Sequence, residues 1–280
     1  MKIVYSRKGF DSSAGGFPSP IVDGRPISFP IPTKQPTNCR FDDLSDPLPK
    51  LVVDLTKGKI ESSRPCHLDP NISFGARHSR PIGWRGALGQ IGSSQSHLAN
   101  NHVGVGDLFL FWGLFCDVAL RSGKWEYVGK PHHLIFGWME IVDVCRPGAN
   151  GSKILAEFPW LRDHPHARDG WGIDGTANNN TIYLAPEAST FLPGHNGPGY
   201  GMLAQGFQLT SDLASKKSIW KVPEWLHPEA GGCGMTYHPD TRWLPGLLLQ
   251  TAGRGQEFVA DIGQRQDALA WVSRLLAEAA

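Results

Sequence analysis

The apolar run Leu108-Phe109-Leu110-Phe111-Trp112 has the length and the aromatic and aliphatic content of a buried strand. It is entered from a polar, glycine-rich stretch at residues 86–97, through the turn Gly104-Val105-Gly106-Asp107. A second apolar run at residues 134–142 follows a turn at Gly123-Lys124, so the two predict successive antiparallel core strands. Residues 2–5 predict a first strand. Ile21-Val22 and residues 27–31 predict a hairpin about Asp23-Gly24, because Asp-Gly tolerates the positive φ that a tight turn needs. The prolines around this hairpin confine its strands to edges or strand ends. Shorter runs predict strands at residues 51–53, 181–185 and 258–262, and short helical turns at 41–44 and 223–226. Residues 265–279 repeat apolar positions at Leu269, Val272, Leu275 and Leu276, the spacing of an amphipathic helix. Residues 170–180 and 194–206, rich in Asn and Gly, read as loops.

Composition narrows this picture. With 33 Gly, 22 Pro and 10 Trp, the chain calls for many strands and ordered loops rather than a helical bundle. The expected class is α+β and β-rich, with long loops and a C-terminal helix. No linker, repeat or low-complexity tract divides the 280 residues, so a single domain spanning 1–280 is expected. The order of polar loop, Val-x-x-Gly-Asp and apolar strand resembles small β-barrels of the pseudouridine-synthase-associated (PUA-like) kind. That resemblance implies a mixed or antiparallel barrel core. A formal net charge of +1 offers no overall attraction to nucleic acid and disfavours long-duplex binding, which needs a basic face. No apolar stretch nears the roughly 20 residues that span a bilayer, and MKIVYSRKGF has no apolar signal-peptide region. Five scattered cysteines argue against a disulfide framework or zinc knuckle, so a reduced, cytoplasmic protein without a membrane partner is expected.

Chemistry concentrates at the two ends of the chain. Residues 6–16 hold Ser6, Arg7, Lys8, Asp11, Ser12, Ser13 and three glycines, a composition suited to a backbone nest for phosphate or carboxylate. The Gly-Lys-Ser/Thr ending of a P-loop is missing, which argues against nucleoside triphosphate hydrolysis. Near the other end, Arg254 sits between Gly253 and Gly255 with Gln256 and Glu257 beside it. Its guanidinium has room there to fork onto a phosphate, carboxylate or base edge. Arg77, His78, Arg80 and Arg85 make a dense basic cluster. Three histidine motifs could be structural or ligating: His67-Leu68-Asp69, His132-His133 and His164-Pro165-His166. No Cys or acidic partner lies at a diagnostic spacing from His164-Pro165-His166, so the sequence assigns no metal and no cofactor.

Four segments together resemble the third of the nucleotide-modification-associated domain families, over nearly the whole chain. They are Ser6–Ser12 with Gly15-Gly16, Gly89-Gln90 with Gln95-Ser96-His97-Leu98, residues 106–111, and Gly253-Arg254-Gly255-Gln256-Glu257-Phe258. The resemblance implies a part in modifying bases in DNA. Combined with the residues, it gives Ser6, Arg7, Lys8, Ser12, Ser13, Gln90, Gln95, Arg254 and Gln256 as contacts to a nucleotide or base. Asp11 and Glu257 are the expected general acid or base, with His97 as the alternative, and Trp84, Trp112 and Trp138 are available for stacking. Ser12 or Ser13 could act as a nucleophile only beside a base. The first reading is an enzyme performing group transfer or glycosidic chemistry on a nucleotide, or on a base in DNA or RNA. A non-catalytic reader of modified bases is the second. A metal-dependent hydrolase built on His67, Asp69, His133, His164 or His166 is the third.

Overall fold

The computed structural model of the chain describes residues 1–277 apart from 12–13, 35–36, 148–151, 169–178, 191–196 and 254. The strand Lys2–Arg7 lies inside an eight-stranded mixed sheet. Leu108–Arg121 pairs with it in parallel on one side, and Glu257–Asp261 antiparallel on the other. His132–Glu140 runs antiparallel to Leu108–Arg121, and Tyr200–Gln208 antiparallel to His132–Glu140. The far end of the long strand also takes Ser19–Val22, which turns at Asp23-Gly24 as expected, although its partner is Arg25–Pro26 rather than residues 27–31. Three-stranded antiparallel sheets lie apart from this one, among them Asp143–Cys145, Thr181–Leu184 and Ala87–Gln90.

The uninterrupted apolar runs follow from burial of both faces of the main sheet. Alternate residues Ile3, Tyr5, Leu108, Leu110, Trp112 and Phe258 pack on one side against Trp220, Trp225, Val272 and Leu275. Val4, Phe109, Phe111 and Val259 pack on the other side against Leu88, Leu98 and Tyr183. Each such side chain contributes about 1.5–3 kcal/mol by leaving water. The C-terminal helix, Gln266–Ala277, supplies Val272, Leu275 and Leu276 to the first face, as its spacing predicts.

Several expectations are corrected. The described strands form no closed barrel, since the sheet path ends on Tyr200–Gln208 and Glu257–Asp261. Separate layers bury its two faces instead. The stretch at 86–97 is not a loop but the strand Ala87–Gln90 followed by the helix Gly92–Asn100. Its glycines answer tertiary demands: Gly92 has φ +65°, and a Cβ on Gly89 would stand 2.2 Å from the His166 ring. Residues 51–53 belong to a helix, Leu48–Leu55, begun by a proline and burying Leu48, Leu51, Val52 and Leu55 at helical spacing. Tyr200–Gln208 is a strand where a loop was expected, while residues 223–226 make a single turn, with Leu226 N donating to the Pro223 carbonyl. No helix among the described residues is long and apolar enough to cross a membrane.

Two histidines that this packing fixes should make the fold acid-sensitive. Trp220 Nε1 donates to His133 Nδ1 at 2.9 Å, while His238 Nε2 accepts from Ala252 N at 3.0 Å. Burial, aided by Lys217 and Arg7, pushes His133 down to about 3, and burial pushes His238 down to about 4. Unfolding lets both take protons near the ordinary value of about 6.5. Stability is therefore complete above that value and falls as the pH drops towards the folded values. At pH 5 each histidine should cost about 2 kcal/mol. The urea midpoint should fall clearly between pH 7.5 and pH 5, and an unchanged midpoint would contradict the assignment.

Candidate functional site

Strand alternation assembles a buried polar centre. Ser6 lies two residues beyond Val4 and pairs in register with Glu257, which lies two residues before Val259. Both therefore point to the second face of the main sheet. Ser6 Oγ donates to Glu257 Oε1 at 3.0 Å, and Lys8 Nζ reaches the same oxygen at 3.0 Å. Gln90, two residues after Leu88 on the facing strand, donates Nε2 to that oxygen at 2.6 Å. Glu257 is 1% exposed, and its Oε2 is buried with no hydrogen-bond partner among the described residues. Three donors thus converge on one carboxylate oxygen and leave the other for a further group.

Two predicted residues flank this centre. Gln256 Oε1 accepts from Ser94 Oγ at 3.1 Å, and its carbonyl accepts from Arg7 N at 2.7 Å. His97, partly buried on the helix Gly92–Asn100, has Nε2 2.9 Å from Thr236 Oγ1 and its ring 4.5 Å from that of Tyr237. Burial lowers its pKa and the Glu257 charge works against that, so the two groups feel each other. Gln95 turns inward, where its Oε1 accepts from Tyr183 Oη at 3.0 Å. Burial pushes that phenol up to about 12, against the pull of Gln95 and with the help of Glu257.

Arg7 pairs with Asp11 at 3.6 Å, and Asp11 Oδ1 accepts from Ala14 N at 2.8 Å, the bonding of a turn-forming aspartate. Ser12, Ser13 and Arg254 lie outside the described residues. Of the three tryptophans, Trp112 and Trp138 are core side chains and not open to stacking. Trp84 is covered by the Arg80 guanidinium at 4.2 Å. Arg77 is held by Asp163 at 3.6 Å, and Arg80 donates to the Phe74 and Ser73 carbonyls, so these two members of the basic cluster are engaged within the chain. Asp107 accepts from the backbone N–H of Lys2 at 2.6 Å and of Gly104 at 3.0 Å, which gives the Gly-Asp motif a structural task.

A second cluster adjoins the first through the strand Ala87–Gln90. Asp69 Oδ1 accepts from Gly89 N at 3.0 Å, one residue before Gln90. His164 Nε2 lies 3.6 Å from Asp69 Oδ1, and His166 Nε2 lies 3.7 Å from Asp69 Oδ2. The His67 and His166 rings are 5.4 Å apart. Burial would raise the Asp69 carboxyl, but the adjacent His164, with the charges of His166 and His67, holds it well below the usual range. Burial pushes His67 down to about 4 and His166 to about 3, the Asp69 charge opposing in both. Asp69 also lines a cavity of about 780 Å³, together with Gly9, Ser28, Asn71, Phe136 and Met202. The sequence showed His67-x-Asp69 and His164-x-His166 as separate motifs; the fold joins them.

The arrangement is that of an α+β fold with a buried, charge-bearing polar centre on one face of a mixed sheet. A family model described as nucleotide modification associated domain 3 matches residues 2–261, and the chain belongs to that family. A role associated with nucleotide modification follows. Neither curated proteins nor solved structures gave a match.

Proposed function

We propose that the chain binds a nucleotide or a nucleic-acid base against Glu257 and performs group-transfer or glycosidic chemistry on it, DNA being one form of the substrate. The supporting observation is the one-sided satisfaction of the Glu257 carboxylate, with Ser6, Lys8 and Gln90 all on Oε1. Oε2 is then the group offered to a base N–H or to a proton in flight. Lys8 holds the carboxylate in place by charge, and Gln90 fixes its rotamer. His97 is the second group able to exchange a proton, within reach of the Glu257 field. We assign ligand contact to Ser12, Ser13 and Arg254. In sequence they adjoin the segments that carry Lys8 and Glu257. A reader of modified bases would use the same contacts without turnover.

Calorimetric titration with nucleotides and modified oligonucleotides at low salt tests the binding part. Wild-type protein should bind at least one member of the panel. Arg254→Ala should weaken that binding about tenfold to hundredfold, the usual worth of a bidentate base contact. Absence of any binding, or equal binding by the variant, would overturn this placement.

A further inference from the structure

We propose that His67, Asp69 and His166 bind a divalent first-row transition ion, each imidazole giving one nitrogen and the aspartate one oxygen. The ligand atoms of these three residues all lie within 4.8 Å of one another. The His166–Asp69 separation of 3.7 Å is too long for a hydrogen bond. It suits two donors around one ion, since ligands at about 2.1 Å in tetrahedral geometry stand about 3.4 Å apart.

Proton positions point the same way. Asn180 Nδ2 donates to the His166 carbonyl at 2.9 Å, which turns Asn180 Oδ1 towards His166 Nδ1 at 2.7 Å. Nδ1 therefore carries the ring proton, and the lone pair of the neutral ring sits on Nε2. That lone pair is directed towards the Asp69 carboxylate at 3.7 Å, where one cation can take an electron pair from each. His164 plays the outer part. Its Nδ1 accepts from His166 N at 3.3 Å, so its Nε2 holds a proton directed at Asp69 Oδ1, 3.6 Å away. Asn180 on His166, with His164 and Gly89 N on Asp69, form the supporting ring of contacts that orients metal ligands.

Three further features fit. Gly89 lacks the Cβ that would strike the His166 ring, so the imidazole packs directly against the strand Ala87–Gln90. The donor set of two imidazoles and one carboxylate suits zinc or iron rather than magnesium or calcium. Asp69 borders the cavity of about 780 Å³, so one of the three ligand residues stands at its wall. The ion would bind whether or not the Glu257 centre takes a nucleotide, so the two readings fail separately.

The test uses the full chain purified without a polyhistidine tag or chelator, analysed by inductively coupled plasma mass spectrometry. About one zinc or iron per chain is expected. After removal of the ion, titration with Co²⁺ should give visible ligand-field absorption. His166→Gln and Asp69→Asn should lose both signals, and Asn180→Ala should weaken Co²⁺ binding about 10–100-fold while leaving the ligands in place. A folded wild type with neither ion nor Co²⁺ absorption would overturn the proposal, as would unaltered Co²⁺ binding by folded His166→Gln.

Discussion

Lys8→Met should cost about 3–5 kcal/mol of stability, read as a large fall in the urea midpoint. Lys8 is 8% exposed, and its ammonium lies 3.0 Å from a carboxylate that is 1% exposed. Methionine keeps the length and apolar stem of lysine but removes the one cation in contact with Glu257 among the described residues. Ser6 and Gln90 would remain as neutral donors, too little to compensate a buried charge. The double variant Lys8→Met with Glu257→Gln should recover most of the loss, because the charge that needed a partner is gone. Recovery in the double variant separates this cause from lost packing, which it would not mend. An unchanged midpoint in Lys8→Met would mean that the ion pair is absent in solution.

Much of this centre was legible before any coordinates, and the reason is local. Ser6 and Glu257 stand at the ends of short apolar strands and Lys8 just beyond one, so once those strands pair, the facing direction of Ser6 and Glu257 follows from Val4 and Val259. Gln90 was named as a contact although its setting was misread. Glycines at 86, 89 and 92 suggested a loop, whereas Gly89 is a strand residue made small by the His166 ring. Nothing within a few residues of Gly89 announces that ring. The helix Leu48–Leu55 was missed for a different reason: three apolar residues in a row fit a strand as well as one face of a short helix. The His67–Asp69–His166 cluster was illegible as a unit. Its halves stand about a hundred residues apart, and only the sheet that carries Gly89 between them makes one site. Trp112 and Trp138 illustrate the opposite error, aromatic side chains read as stacking surfaces that the core consumes.

The role of Glu257 predicts the largest functional effect. Glu257→Gln keeps the shape of the side chain and lets Oε1 accept from Ser6, Lys8 and Gln90, yet it can neither take nor give a proton. Loss of a positioned acid or base lowers turnover by about 10²–10⁴. The most direct test is therefore mass-spectrometric analysis of base composition after incubating a bound nucleotide or oligonucleotide with wild-type and Glu257→Gln protein. Conversion by the wild type, reduced at least about a hundredfold in Glu257→Gln at saturating substrate, is the result expected here. Conversion at an equal rate by the variant would contradict the assignment of Glu257, and binding without any conversion by the wild type would make the protein a reader.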